Sequence, residues 1–220
     1  MDYEFIKEVI PLYKEAAFLT LRIGFIGILF SFIVGIFCAL VRYWKIPVLK
    51  IIVRAYTEFS RNTPLLIQLF FLYFAFPRMG IKFSSEQCGI IGLTFLGGSY
   101  MAETFRSALG TVGRVQIESG LCVGLNKRQL VEYVVLPQAA AVSVPGVVAN
   151  IIFLLKETSV FSAVALADLM FVAKDLIGLY YKTEEALLLL VAAYFIILLP
   201  ISILSHIAER RLRYGQYGNV

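Results

Sequence analysis

The chain has 220 residues, of which 60% are hydrophobic and only 16% are charged, and its mean hydropathy is +0.82. Soluble domains use more charged residues, so this composition excludes an ordinary soluble enzyme and indicates a membrane protein. The formal net charge of +5 suits contact with anionic lipid headgroups, and we expect membrane lipid rather than nucleic acid as a partner.

Five apolar runs without charged residues predict five membrane spans. A helix needs about 20 mostly apolar residues to cross a hydrocarbon layer of ~30 Å, so the first and last runs suffice alone and the middle three need flanking residues. We therefore predict an all-α transmembrane fold, a five-helix bundle that forms one domain over residues 1–220. The runs cover residues 23–41, 62–77, 87–102, 133–155 and 186–208.

Basic residues near the span ends predict the orientation of the chain in its membrane. The positive-inside rule places the ends richer in Lys and Arg in the cytoplasm. With the N-terminus outside, the inner loops and tail contain Arg42, Lys45, Lys50, Arg54, Arg106, Arg114, Lys127, Arg128, Arg210, Arg211 and Arg213, whereas the outer segments contain Lys7, Lys14, Arg78, Lys82, Lys174 and Lys182. The larger inner set predicts an outside N-terminus and a cytoplasmic C-terminus.

The second span contains a proline and two opposite charges. Pro64 lacks an amide hydrogen, so we expect the helix to bend there, to free backbone carbonyls, and to make Thr63 and Gln68 available to a central cavity. Charged side chains inside a span usually face a partner or a water-filled cavity, which makes Arg61 a candidate for a solute pathway. Glu58 and Arg61 are three residues apart, and a pair within the helix would explain both charges without a solute.

The third span ends with the same spacing of opposite charges. Glu103 and Arg106 are three residues apart and lie next to the predicted cytoplasmic boundary. Glu103 is a second candidate for the solute pathway, and pairing with Arg106 on the same helix is again the alternative.

A polar segment separates the third and fourth spans, at about residues 112–136. Its helical spacings predict a short helix from Gln116 onward, which Pro137 ends. Small residues would let another protein approach the backbone closely, and apolar residues such as Leu121 and Leu130 would enter a groove on that protein. A helix lying in the lipid interface is the alternative. The candidate docking residues are Glu118, Ser119, Gly120, Gly124, Lys127 and Arg128.

The fourth span ends in four polar residues. Two prolines near its start predict a helix that begins late and places these residues below the outer surface. The apolar stretch beyond them is too short to span, so we expect a broken helix, whose polar ends in transporters coordinate charged solute groups. A lysine beside an acid would meet both ends of an amino acid; alternatively, the charges only tie the break to neighbouring helices. The polar residues are Lys156, Glu157, Thr158 and Ser159, and the prolines are Pro137 and Pro145.

Several motifs agree in order and spacing with one family. Residues 118–124 are similar to an EAA loop, in which Glu-Ala-Ala is followed three residues later by Gly. The other matching pieces are Arg61–Gln68, Tyr100–Glu103 with Arg106, Gln116, Leu136–Gln138, Pro145, Asn150 and Leu155–Ser159. Together they resemble the permease subunits of ABC importers for polar amino acids, of the histidine, glutamine, arginine and cystine type. Ser119 and Gly120 depart from the pattern by replacing the two alanines, and Asn62 and Val115 stand where glycine is usual.

The resemblance implies an importer permease bundle that pairs with a second permease subunit, of the same or a homologous chain. It implies a bacterial inner-membrane location, two ABC ATPase subunits on the cytoplasmic side and a solute-binding protein outside. In that family the polar segment is a coupling helix seated in the ATPase. ATP and Mg²⁺ would bind to the ATPase and no cofactor or metal to this chain, which has no GxxxxGK[ST], HExxH or CxxC motif and is not expected to be an enzyme.

A different class of function uses the same spans and buried charges. An ATPase-independent secondary carrier or a channel for small polar solutes would also need charged residues around a watery pathway. Co-purification with an ATPase favours the importer, whereas uptake by the purified chain alone favours the carrier.

Overall fold

The computed structural model describes the backbone of residues 1–216 and, beyond residue 204, only the side chain of Ile207. The side chains of Arg210, Arg211 and Arg213, used above for the orientation, therefore lie outside the described residues. The described part contains helices and no strand, which confirms the all-α class. The helices are α1 Tyr3–Tyr43, α2 Pro47–Arg61, α3 Leu65–Phe70, α4 Ser85–Gly110, α5 Arg114–Cys122, α6 Lys127–Leu130, α7 Leu136–Glu157, α8 Leu169–Tyr180 and α9 Thr183–Gln216.

Short π and 3₁₀ turns extend several of these helices. The π turn Phe71–Ala75 and the 3₁₀ turn Phe76–Met79 follow α3, and the π turn Val131–Val135 joins α6 to α7. The 3₁₀ turn Thr158–Val164 follows α7 and ends at Ala165, whose backbone is left-handed with φ 54°. The second and fourth spans thus change helical type along their length.

Five passes make up the bundle. Three segments are long and apolar enough to cross a membrane by themselves, and α4 and the α2–α3 pair supply the other two passes. The α4 helix runs antiparallel to that pair, because Ser60 Oγ of α2 donates to the Phe95 carbonyl and Leu69 of α3 lies against Gly92. The three long segments are Tyr3–Tyr43, Lys127–Val164 and Thr183–Leu204.

Small residues bring α1 and α4 close together in the largest helix contact of the bundle. A Cβ added at Gly27 of α1 would lie 2.7 Å from Leu93 Cδ2 of α4, and one at Gly98 of α4 would lie 2.7 Å from Val34 Cγ1 of α1. The order of these contacts makes the two helices parallel. Glycines in membrane helices allow such approach because packing, rather than exclusion of water, drives helix association in lipid.

The prolines at the start of the fourth span neither end nor delay a helix. Pro137 lies in the first turn of α7, and Pro145 lies inside it. Proline is tolerated near a helix start, and the preceding π turn already lacks regular i to i−4 bonding. Inside a bundle, neighbouring helices also compensate for the bond lost at Pro145. The helix runs from Lys127 without interruption, so the expected late start is wrong, as is the expected end of a helix at Pro137.

The first half of α1 forms a second packing layer. With 41 residues, α1 is about 62 Å long, twice the thickness of the hydrocarbon layer. Its first half packs against α8 and the start of α9, where Tyr13 OH donates to the Ala186 carbonyl at 2.7 Å. Lys182 Nζ lies 3.1 Å from Asp2 Oδ2 and holds the start of α1 to the loop between these two helices.

Candidate functional site

The polar segment forms two helices rather than one. The first, α5, ends at Cys122, and Gly124 then adopts a left-handed backbone with φ 86°. Asn126 caps α6 by accepting from the Arg128 and Gln129 amides, both at 3.0 Å. A left-handed residue and a new N-cap reverse the chain direction, so the single helix expected from Gln116 is wrong.

The α5 helix packs chiefly against α6 and the following π turn and stands clear of the main bundle. Its exposed surface combines charged and small residues with bare apolar side chains, a mixture that suits a protein partner better than water alone. Val115, Leu121 and Val123 are 74%, 51% and 77% exposed. The exposed docking candidates are Glu118, Ser119, Gly124, Lys127 and Arg128.

Gly120 and Leu130 have an internal role that differs from the expectation. Gly120 is buried, and a Cβ added to it would lie 2.6 Å from Leu130 Cδ1. Leu130 is only 7% exposed. Gly120 therefore lets α5 pack closely on α6 of its own chain, and Leu130 is not free to enter a groove on a partner.

Arg61 lies against an aromatic ring rather than against Glu58. Its guanidinium carbon is 5.3 Å from the centre of the Tyr100 ring, a cation–π distance. Among the described residues Glu58 and Arg61 form no ion pair with each other. The intrahelical pair expected in the second span is therefore wrong.

The intrahelical pair in the third span is confirmed, with an additional partner. Glu103 accepts from Arg106 on α4 and from Arg42 Nη1 of α1 at 2.9 Å. The sequence indicated Arg42 only as a basic residue at the predicted cytoplasmic end, although an acid at the end of a span is a signal that basic partners lie nearby. Arg61 and Glu103 both line one cavity at this end of the bundle.

The expected break at Pro64 is confirmed. The α2 helix ends at Arg61, α3 begins at Leu65, and Pro64 holds an extended backbone between them. Gln68 Nε2 donates to the freed carbonyls of Ser60 at 3.1 Å and Thr63 at 2.9 Å.

Thr63 and Gln68 also line a cavity of about 420 Å³ whose other walls are largely aromatic. Gln68 is 8% exposed, and its buried Oε1 has no hydrogen-bond partner among the described residues. Buried acceptors usually have a hydrogen-bond partner, so this oxygen gives the break a polar site that a solute could contact.

The polar residues at the end of α7 do not share one environment. Lys156 is exposed, Glu157 is half-buried, and Thr158 is buried with Oγ1 donating to the Leu155 carbonyl at 2.7 Å. Adjacent residues of a helix point about 100° apart, so the lysine and the acid leave the helix in different directions, and their joint contact with an amino acid stays a prediction.

The break at Pro64 lies beside the change of helical type in the fourth span. The α3 helix, which follows the break at Pro64, packs against the 3₁₀ turn Thr158–Val164. Leu65 and Phe161 belong to the same buried core at this junction. The structure thus brings Thr63 and Gln68 into the region where the fourth span changes its helical type, which the sequence did not indicate.

Asp168 is a buried acid that was not among the residues predicted from the sequence. It caps α8, with Oδ1 accepting from the Phe171 amide at 3.0 Å, while Oδ2 is buried without a partner among the described residues. Burial raises the pKa of this carboxyl to about 7. An aspartate directly before an apolar helical run is the N-cap signal that would have located it.

The chain matches the family model described as "Binding-protein-dependent transport system inner membrane component" over residues 27–214. It is 30% identical to the probable amino-acid ABC transporter permease protein PatM of Vibrio harveyi, with 96% of each chain covered. It is 37% identical over 159 residues to the probable glutamine ABC transporter permease protein GlnP of Bacillus subtilis, which covers 72% of this chain and 73% of the relative.

Solved structures agree with this assignment. The fold matches a chain from the crystal structure of an amino acid ABC transporter with histidines at a TM-score of 0.90 and 28% identity, covering 96% of this chain and 99% of that chain. An inward-facing MetNI methionine ABC transporter matches at a TM-score of 0.78 and 21% identity, over 93% of this chain and 98% of that chain, a likeness of fold alone. This protein belongs to the family of inner-membrane permease components of binding-protein-dependent transport systems.

Proposed function

We propose that this permease subunit serves an ATP-driven importer for a polar amino acid. Its relatives include proteins named as glutamine and L-cystine permeases, which supports that solute class. The complete importer contains a second permease subunit, of the same or a homologous chain, two ABC ATPases and an extracytoplasmic solute-binding protein. ATP and Mg²⁺ bind to the ATPases, because this chain lacks a phosphate-binding GxxxxGK[ST] loop.

The orientation in the inner membrane is N-terminus outside and C-terminus cytoplasmic. The ends of α1 and α4, the start of α2 and the whole of α5 lie at one end of the bundle, and this end collects most of the basic residues near the spans. The positive-inside rule supports a cytoplasmic position for it.

The projecting α5 helix is the observation that carries the proposal. It stands outside the bundle with Glu118 and Ser119 exposed beside the apolar side chains of Val115 and Leu121. A carrier that works alone has no use for such an element, whereas an ATPase cleft would cover it. We therefore assign α5, with Lys127 and Arg128 at the start of α6, as the docking element.

Solute passes near the Pro64 break and the adjacent change of helical type in the fourth span. Irregular helix segments in transporters present polar groups to solutes, and this is the role proposed for Thr63, Gln68, Lys156, Glu157 and Ser159. Arg61 and Glu103 lie nearer the cytoplasmic end. Movement of the docked ATPases favours one of two arrangements of the helices around this region.

Pull-down of the ATPase tests the docking element. Glu118→Lys reverses one exposed charge on α5, and we expect it to lower ATPase recovery at least tenfold; Glu184→Lys makes the same change at the exposed outer start of α9 and is the matched control. Equal recovery with wild type and Glu118→Lys would contradict the assignment. Uptake by the purified permease without any ATPase would overturn the importer proposal itself.

A further inference from the structure

A charged cavity of about 610 Å³ lies where α1 and α4 end and α2 begins. It is separate from the aromatic cavity at the Pro64 break. Six cationic side chains and two carboxylates line it: Arg42, Lys45, Lys50, Arg54, Arg61 and Arg106, with Glu58 and Glu103. Such an excess of one charge in a concave site raises the local concentration of the opposite charge.

The acids in the cavity do not neutralise the bases. Glu103 is already held by Arg42 and Arg106. Among the described residues Lys45, Lys50 and Arg54 have no ion-pair partner, and all three are exposed. Like charges that share a cavity repel one another, so a bound anion would lower the electrostatic energy of this region.

The α2 helix connects this charged cavity with an apolar surface. Lys50 and Arg54 are four residues apart and therefore share one helix face, which lines the cavity. On another face Val48, Ile51 and Ile52 are 70%, 68% and 57% exposed. A ligand with an anionic head and apolar chains would use both faces, whereas an inorganic anion would use only the first.

The adjoining turn has the composition of a membrane interface. Trp44, which is 59% exposed, lies between the end of α1 and the start of α2. Tryptophan is enriched at the headgroup level of bilayers, where its ring meets apolar chains and its N–H meets polar groups. The composition of this turn therefore favours a position of the cavity at the headgroup level of a bilayer.

We propose that this cavity binds the phosphodiester headgroup of an anionic phospholipid, with the acyl chains along the exposed face of α2. Lys45, Lys50 and Arg54 provide the charges that the phosphate meets. Basic pockets between membrane helices recognise lipid headgroups by this chemistry. The site adds a lipid requirement to the importer, and it does not depend on which solute is carried.

Native mass spectrometry of the detergent-purified permease–ATPase complex tests the site. The complex is titrated with phosphatidylglycerol or with phosphatidylcholine of the same acyl chains. We expect the wild-type complex to bind phosphatidylglycerol at least tenfold more tightly than phosphatidylcholine. Since each cation near a lipid surface contributes about fivefold, Lys45→Gln/Lys50→Gln/Arg54→Gln should weaken that binding roughly a hundredfold. The control Arg78→Gln/Lys82→Gln/Lys174→Gln removes three exposed cations at the other end of the bundle and should leave it unchanged.

Three results would overturn the proposal. Equal binding of the two lipids by the wild-type complex would overturn it whatever the variants show. The test therefore remains decisive even where a variant fails to assemble. Equal weakening by both triple variants would indicate diffuse attraction rather than a site. Displacement of phosphatidylglycerol by a large excess of inorganic phosphate would assign the cavity to the free anion. Loss of ATPase from the complex would bear on the importer and not on lipid binding.

Discussion

At the scale of single residues, Asp168 combines a helix cap with a buried charge. Asp168→Asn keeps a side-chain acceptor for the Phe171 amide and removes the charge, so it should raise the melting temperature at pH 8. Asp168→Ala loses the cap, and should lower the free energy of unfolding by about 1 kcal/mol relative to Asn.

The pH dependence separates these two effects. The folded-state pKa of about 7 lies above the ordinary aspartate value of 3.8, so the folded state binds this proton more tightly than the unfolded state does. The stability that this proton contributes is lost as pH rises through the folded-state pKa. The advantage of Asn over wild type should therefore shrink between pH 8 and pH 5.5, in thermal unfolding of the solubilised complex. Equal melting temperatures of wild type and Asp168→Asn at pH 8 would show that the charge carries no cost.

Gly35 provides a second residue-scale prediction. A Cβ added there would meet Met101 Cβ and would lie 3.0 Å from the backbone nitrogen of Ala102. Backbone atoms in the packed contact between α1 and α4 cannot move aside, so Gly35→Ala should destabilise the protein by about 1–3 kcal/mol. Gly178→Ala is the control: it lies in α8 with open space around an added Cβ and should stabilise by up to about 1 kcal/mol. Chemical or thermal unfolding in detergent compares them, and equal melting temperatures would contradict the packing explanation.

At the scale of elements, Gly124 sets the direction of α5. Its φ of 86° is left-handed, a conformation that costs alanine about 1–2 kcal/mol. Gly124→Ala should therefore loosen α5 and reduce solute-stimulated ATPase activity. Gly113, at the other end of α5, has an ordinary φ of −66° and equally open surroundings. Gly113→Ala should therefore keep the activity. Similar losses in both variants would show that added bulk, rather than backbone conformation, disturbs docking.

The helix breaks show what sequence can and cannot predict at this scale. Pro64 ends α2 as expected, and Gln68 then occupies the freed carbonyls. Pro137 and Pro145 carry the same chemistry but lie within a continuous helix. The difference depends on the π turn before α7 and on neighbouring helices, which are properties of the assembled bundle.

The charged pairs give the same lesson for the candidate site. The spacing of three residues predicted Glu103 with Arg106, and that pair is present. The same spacing predicted a pair of Glu58 with Arg61 that is not present, because the Arg61 guanidinium lies against the Tyr100 ring on another helix. Local spacing identifies which side chains can meet, and tertiary contacts decide which of them do.

At the scale of the whole molecule, the orientation can be measured by cysteine labelling. In a background with Cys122→Ser, Lys7→Cys should react with a membrane-impermeant maleimide in intact cells, because residue 7 is exposed on the outer half of α1. Trp44→Cys, at the opposite end, should react only in inside-out vesicles. The native Cys38 and Cys88 are buried and should contribute little background. The reverse labelling pattern would invert the proposed topology.

Composition predicted the number of passes but not their partners. The apolar runs located five spans, while the parallel contact of α1 with α4 depends on glycines whose neighbours lie about 65 residues away, such as Gly27 and Leu93. The outer layer made by the first half of α1 was also missed, since its mixed charged and apolar sequence gave no span signal.

One continuous helical segment connects α5 with the region of the Pro64 break. From Lys127 to Val164 the chain is helical without a gap, which spans roughly 50–60 Å. One end of this segment packs against α5, residues Arg114–Cys122, and the other end packs against α3, which follows Pro64. A displacement of α5 would thus reach the region of the Pro64 break through one continuous helical segment, in which the π turn Val131–Val135 lies in contact with α5.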